Sequence, residues 1–177
     1  YAAGVTSRQG TAVDSRFWLL AAVLAALPAH AEDVPFAGHV LDVDASQEQR
    51  TILRMTGTRY GINGSTAQIL DKARQCIGSQ SGLTLDPVDP DSSTLSAQGR
   101  RDFRQFWSTH SVRTRLTLEA SDGHFRIVQS ALGLAQGNSA ETPDDAYLPI
   151  SQQGGAWQNA ITAAMAMATG LADCMYR

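Results

Sequence analysis

The chain has 177 residues, with fourteen Lys or Arg against seventeen Asp or Glu, a formal charge of −3 and 43% hydrophobic residues. That is enough chain for one ordinary domain, and it is too apolar for a wholly disordered protein. A pI near 5.7 argues against the strongly basic surface of a dedicated nucleic-acid binder; Lys72 is the one lysine, and all other bases are arginine.

Residues 17–27, FWLLAAVLAAL, form an unbroken apolar run, with Arg16 before it and Ala29-His30-Ala31 after it. A charged start, an apolar stretch of about 7–15 residues and small residues around a cut site are the parts of a secretory signal. A bilayer-crossing helix needs about 20 such residues. The expectation is therefore cleavage near Ala31, removal of residues 1–31, and a periplasmic or secreted mature chain without a transmembrane segment. In an oxidising compartment the two cysteines, Cys76 and Cys174, are expected to pair. Neither lies in a C-x-x-C pair, so a redox or zinc role has no support.

Residues 32–50 read as an acidic N-terminal segment with a short strand around Val40, Leu41 and Val43. The β-branched and apolar residues 51–60 predict a strand, which Gly61 and Asn63-Gly64 end. Ser65-Thr66-Ala67-Gln68 is a capping box, and Ile69, Leu70, Ala73, Cys76 and Ile77 recur at helical spacing up to Gly78. Leu83 to Leu85 alternates, a Pro/Asp turn follows, and Leu95 and Ala97 resume the alternation until Gly99. Val112, Leu116 and Leu118 face one way and Arg113, Arg115 and Glu119 the other. Ser121-Asp122-Gly123 is a hairpin turn, beyond which Phe125 and Ile127 continue the apolar face opposite His124 and Arg126. Residues 133–155, turn-rich and polar, predict a long loop. The last helix carries Trp157, Ile161, Met165, Ala168, Leu171 and Met175 on one stripe.

The order β-α-β-β-β-β-α predicts an α+β two-layer sandwich. Its antiparallel sheet has about five strands and both helices on one face, in a single domain over residues 51–177. This order, with the helix at 65–77 and the hairpin around Asp122-Gly123, resembles an uncharacterised family of bacterial secreted proteins described as having a TATA-binding-protein-like fold. The resemblance covers roughly residues 51–132, implies shape alone, and brings no functional residues with it.

The sequence holds no G-x-S-x-G elbow, phosphate loop, H-E-x-x-H or dinucleotide fingerprint. His39, His110 and His124 have no second metal-type residue at helical spacing, and Asp86, Asp89 and Asp91 lack the Gly and closing Glu of a calcium loop. Neither a metal nor a cofactor is expected. Two groups stand out. Arg100, Arg101, Phe103, Arg104, Phe106 and Trp107 alternate cations with aromatics, a pattern that stacks on rings and holds anions, with Arg101, Arg104 and Trp107 as its candidate binding residues, although the aromatics also suit packing under a sheet. Arg113, Arg115, His124 and Arg126 share the sheet face turned from the helices. These readings predict a non-catalytic exported binding or interaction module whose partner is an envelope protein or an anionic ligand, not a nucleic acid. The alternative is a carrier that holds a small apolar ligand between sheet and C-terminal helix, lined by residues such as Met165 and Trp157.

Overall fold

The computed structural model describes residues 31–89 and 92–177; the signal-like run at 17–27, His30 and Asp91 lie outside these. Eight strands and two helices follow in the order β1 (Ala31–Phe36), β2 (His39–Asp44), β3 (Thr51–Gly61), α1 (Thr66–Ser79), β4 (Leu83–Leu85), β5 (Thr94–Gln105), β6 (Ser108–Ser121), β7 (His124–Gln136), β8 (Leu148–Pro149) and α2 (Trp157–Met175). The sheet runs β1-β2-β3-β7-β6-β5-β4, with β8 paired to β7, and its pairings are antiparallel. The α+β class is as expected. The strand count is not, because the acidic segment at 32–50 is a hairpin of the sheet and not a separate stretch.

One sheet face is apolar. Leu41, Val43, Met55, Val112, Leu116, Leu118 and Phe125 from the strands meet Ile69, Ala73 and Ile77 of α1 and Ala160, Ile161, Ala164 and Leu171 of α2 in one buried cluster. Small residues bring α2 close: a Cβ on Gly99 would stand 2.7 Å from Leu116 Cδ1 and 3.1 Å from the Met167 sulfur. Met167 and Met175 are the buried methionines of α2, Met165 is only half-buried, and Trp157 tilts onto Phe36 at 5.4 Å between centroids.

The capping box forms as read: Gln68 N–H donates to Ser65 Oγ while Gln68 Oε1 accepts from Ser65 N–H. A second cap comes from far along the chain. Asp122, in the β6–β7 turn, accepts from Thr66 N–H at 2.7 Å and from Thr66 Oγ1 at 2.9 Å, taking up one of the donors a helix start leaves open. These two bonds hold the Asp122 carboxyl below the usual carboxylate range, and nearby His124 adds to the effect. At the other end of α1, Cys76 is bonded to Cys174, with Cα atoms 5.8 Å apart. The Gln80 amide lies against Gly170, so the helices run in opposing senses and overlap through their C-terminal halves.

The long loop predicted at 133–155 is shorter and better anchored. β7 continues to Gln136, with a register shift where Ala131 takes φ 50°. Beyond that shift β3 no longer pairs β7. Residues 148–151 fill the gap: Gly133 pairs Pro149, Leu134 pairs Leu148, Ile52 N–H donates to the Ile150 carbonyl at 2.8 Å, and Thr51 bridges Ser151.

Candidate functional site

The face away from the helices is not uniformly open. Tyr147, buried, folds onto it and shares a 2.7 Å hydrogen bond with Ser111 Oγ. Arg113 and Arg100 lie over the Tyr147 ring at 5.0 and 5.6 Å, and both reach Asp144. Arg113 also donates to the Asp144 carbonyl at 2.9 Å. Arg115, further along β6, pairs with Asp86 at 3.0 Å. Of the predicted face residues, Arg113 and Arg115 are thus each matched by a carboxylate from another element, and they do not form one patch with the rest.

His124 and Arg126 do come together, with a residue that alternation did not single out. Arg59 of β3 faces Arg126 of β7 in direct register. Arg59, Arg126, His124, Ser121 and Glu119 line a depression of about 290 Å³ on the outer face. Both Nε and an Nη of Arg126 donate to Glu119 Oε2, at 3.0 and 2.5 Å. Arg59 has no carboxylate partner among the described residues; its guanidinium donates to His124 Nε2, which also lies 2.9 Å from Ser121 Oγ. The other ring nitrogen faces the Asp122 carbonyl at 3.0 Å. A carbonyl can only accept, so Nδ1 carries the proton and Nε2 is the acceptor. Like charges directly opposite on neighbouring strands repel, and Glu119 offsets only one of these two. The depression therefore holds an unbalanced cation with a hydroxyl beside it.

In the Arg/aromatic segment Phe103 packs against the core, as expected of an aromatic under a sheet, but Phe106 and Trp107 do not. β5 runs on to Gln105, and Phe106 and Trp107 are the two-residue turn into β6, fully in solvent at 89% and 102% exposure. Arg101 stands opposite Val112 and Arg104 opposite Thr109, so their strand parity differs, and both border a depression against Asn159, Thr162 and Ala163 of α2. A larger depression, of about 550 Å³ and lined by Gly61, Ile62, Asn63, Lys72, Gly123, Met175 and Tyr176, has Lys72 as its one charged side chain. No group of three or more His, Cys, Asp or Glu placed to hold a metal occurs among the described residues.

No family model and no curated protein matches the sequence. Solved structures similar in backbone include two bacterial proteins. A TBP-like protein from Parabacteroides distasonis superposes with a TM-score of 0.50 at 9% identity, over 81% of this chain and 97% of that one. A DUF4468 family protein from Bacteroides ovatus gives 0.47 at 12%, over 81% and 90%. The first likeness establishes a TBP-like fold, as the sequence resemblance implied.

Proposed function

We propose that the chain is an exported, non-catalytic binding module that holds an anionic group of its ligand between Arg59 and Arg126, beside the Ser121 hydroxyl. The observation that carries this reading is the cross-strand arginine pair with a single carboxylate. A carboxylate or phosphate seated there would complete the charge balance and accept from planar guanidinium donors. Binding fits the site better than catalysis because its titratable groups are already committed: Glu119 is tied to Arg126, and both ring nitrogens of His124 are engaged. A free general base or nucleophile beside a reacting atom is what catalysis would require.

Export rests on the signal-like run before Ala31. The Cys76–Cys174 bond also fits a secreted protein, and no described helix is long and apolar enough to cross a membrane. The carrier alternative gains nothing from the interior, where Gly99, Leu116 and Met167 already touch.

Titration with inorganic phosphate and with acetate at low ionic strength, followed by the NMR signals of Arg59, Ser121 and His124, tests the reading. Saturable shifts at these residues are expected, weakened tenfold or more in Arg59→Gln and unchanged in Arg115→Gln. Unsaturable shifts, or equal binding by Arg59→Gln, would overturn it.

A further inference from the structure

The β5–β6 hairpin ends in two aromatic rings with nothing to pack against. Phe106 takes φ 53° at the first position of its turn, where a two-residue hairpin usually has Gly. The next residue, Trp107, has its whole surface in water. Support falls away toward this tip. β4 flanks β5 only as far as Gly99, and β7 flanks β6 only from His110. Below the turn Gln105 Nε2 donates to the Gly155 carbonyl and Gly137 N–H donates to the Thr109 carbonyl, both at 2.9 Å, while the two aromatic residues of the turn are left without such a hold. Two large aromatic side chains in solvent at the end of a hairpin, the first of them held at a positive φ, are unexplained by folding.

We propose that this tip is a membrane-inserting element that seats the protein on an anionic lipid surface. The charge distribution selects that partner. Residues 100–115 contain five arginines and one acid, whereas the rest of the chain from Glu32 onward contains seven bases and fifteen acids. Three of the five, Arg100, Arg113 and Arg115, are matched by Asp144 and Asp86. Arg101 and Arg104 make no ion pair among the described residues, and Asp102 between them is turned to Ser139 N–H at 2.7 Å. An anionic surface therefore attracts the tip and repels the bulk, which orients the molecule with the tip toward the membrane.

Depth agrees with charge. Arg104 lies two residues behind Phe106, about 7 Å along the strand. Apolar side chains seated at the headgroup–acyl boundary penetrate about 5–10 Å, so the Arg104 guanidinium would stand at phosphate level. Trp at the interface and Arg just above it is the usual arrangement there. The shape also favours a fluid partner: a convex point of two rings enters a bilayer, whereas docking to a protein normally uses a broader apolar patch. This site is separate from the Arg59 depression and does not depend on it.

The test uses the full chain and Trp107→Phe, whose emission difference isolates Trp107 from Trp18 and Trp157. Vesicles of phosphatidylcholine containing roughly a third phosphatidylglycerol should shift the Trp107 difference spectrum to the blue. Lipids brominated near the headgroup end of the acyl chains should quench it. Pure phosphatidylcholine should do neither, and Arg101→Gln/Arg104→Gln should weaken the effect on the order of thirtyfold. Arg59→Gln should leave it unchanged. An unshifted Trp107 spectrum refutes the proposal, whether the protein stays in solution or sediments with vesicles through other residues. An equal shift on uncharged vesicles refutes the anionic selectivity.

Discussion

Reducing the Cys76–Cys174 bond is the perturbation whose size the structure fixes best. The linked residues are separated by 98 positions, so the bridge ties together most of the unfolded chain beyond Glu32. The chain-entropy relation gives about 4–5 kcal/mol for a closed loop of this length. A domain of this size loses about 2–4 °C of Tm per kcal/mol, which puts the expected drop on the order of 10–20 °C. Urea unfolding of the oxidised chain, of the chain kept in dithiothreitol and of Cys76→Ala/Cys174→Ala would measure it. Reduction leaves both sulfur atoms in the helix seam and isolates the cross-link. The double alanine also leaves two small gaps where Cys76 is 4% exposed, and should cost about 1 kcal/mol more. The urea m-value should rise on reduction, because an unlinked denatured chain exposes more surface. A loss below about 1 kcal/mol with an unchanged m-value would refute the reasoning, since the bridge would then not be constraining the denatured ensemble.

Asp122→Asn should weaken the start of α1 in a pH-dependent way. The native carboxyl titrates below its unfolded value because Thr66 bonds the charged form. Its stabilisation is therefore full above about pH 4 and fades as pH falls through the native pKa. The stability gap between the two proteins should close on acidification; a gap independent of pH would contradict this. Phe106→Gly should raise stability by about 1 kcal/mol in thermal or urea unfolding, by relieving φ 53°; a loss would show that the rings support the fold. Gly82→Ala should destabilise by about 2–4 kcal/mol, because φ is +84° and the new Cβ would meet the Arg100 carbonyl oxygen at 2.5 Å. A change within 0.5 kcal/mol, a surface-like value, would refute that.

Alternation worked where strands are regular. Val112, Leu116, Leu118, Phe125 and Ile127 read as one face, and each is 2% exposed or less. It failed where glycine was taken as punctuation. Gly99 and Gly133 both lie inside strands, and both mark close approaches: a Cβ at Gly133 would meet Tyr147 Cβ at 3.0 Å. Arg59 stayed hidden because β3 is irregular. Its pairing shifts once against β2, between Asp42 and Val43, and again against β7, between Thr56 and Arg59. Each shift reverses which parity faces the helices. β2 was legible as a short strand around Val40, Leu41 and Val43, but β1 and their place in the sheet were obscured by Asp33, Asp42 and Asp44, which look like a solvated tail until Arg54 is found paired to Asp42. The second cap on α1 had no local signal at all, since Asp122 is spelled as a turn residue and reaches Thr66 across 56 positions.

The strip at 148–151 also imposes an order on assembly. Hairpins β5–β6 and β6–β7 close between neighbours in the chain, so that meander can form from local contacts early. The strip is local on one side only. It pairs the end of β7 across a short stretch of chain, whereas its other flank, the start of β3, comes from a distant part, and its second set of bonds forms only once β3 stands beside β7. Residues 148–151 therefore lock as a keystone at that step, and hold with them Tyr147 and Asp144, which cover Arg100 and Arg113. Until that step the arginines of this end of the sheet remain uncovered, and the nascent domain presents a more cationic surface than the finished one.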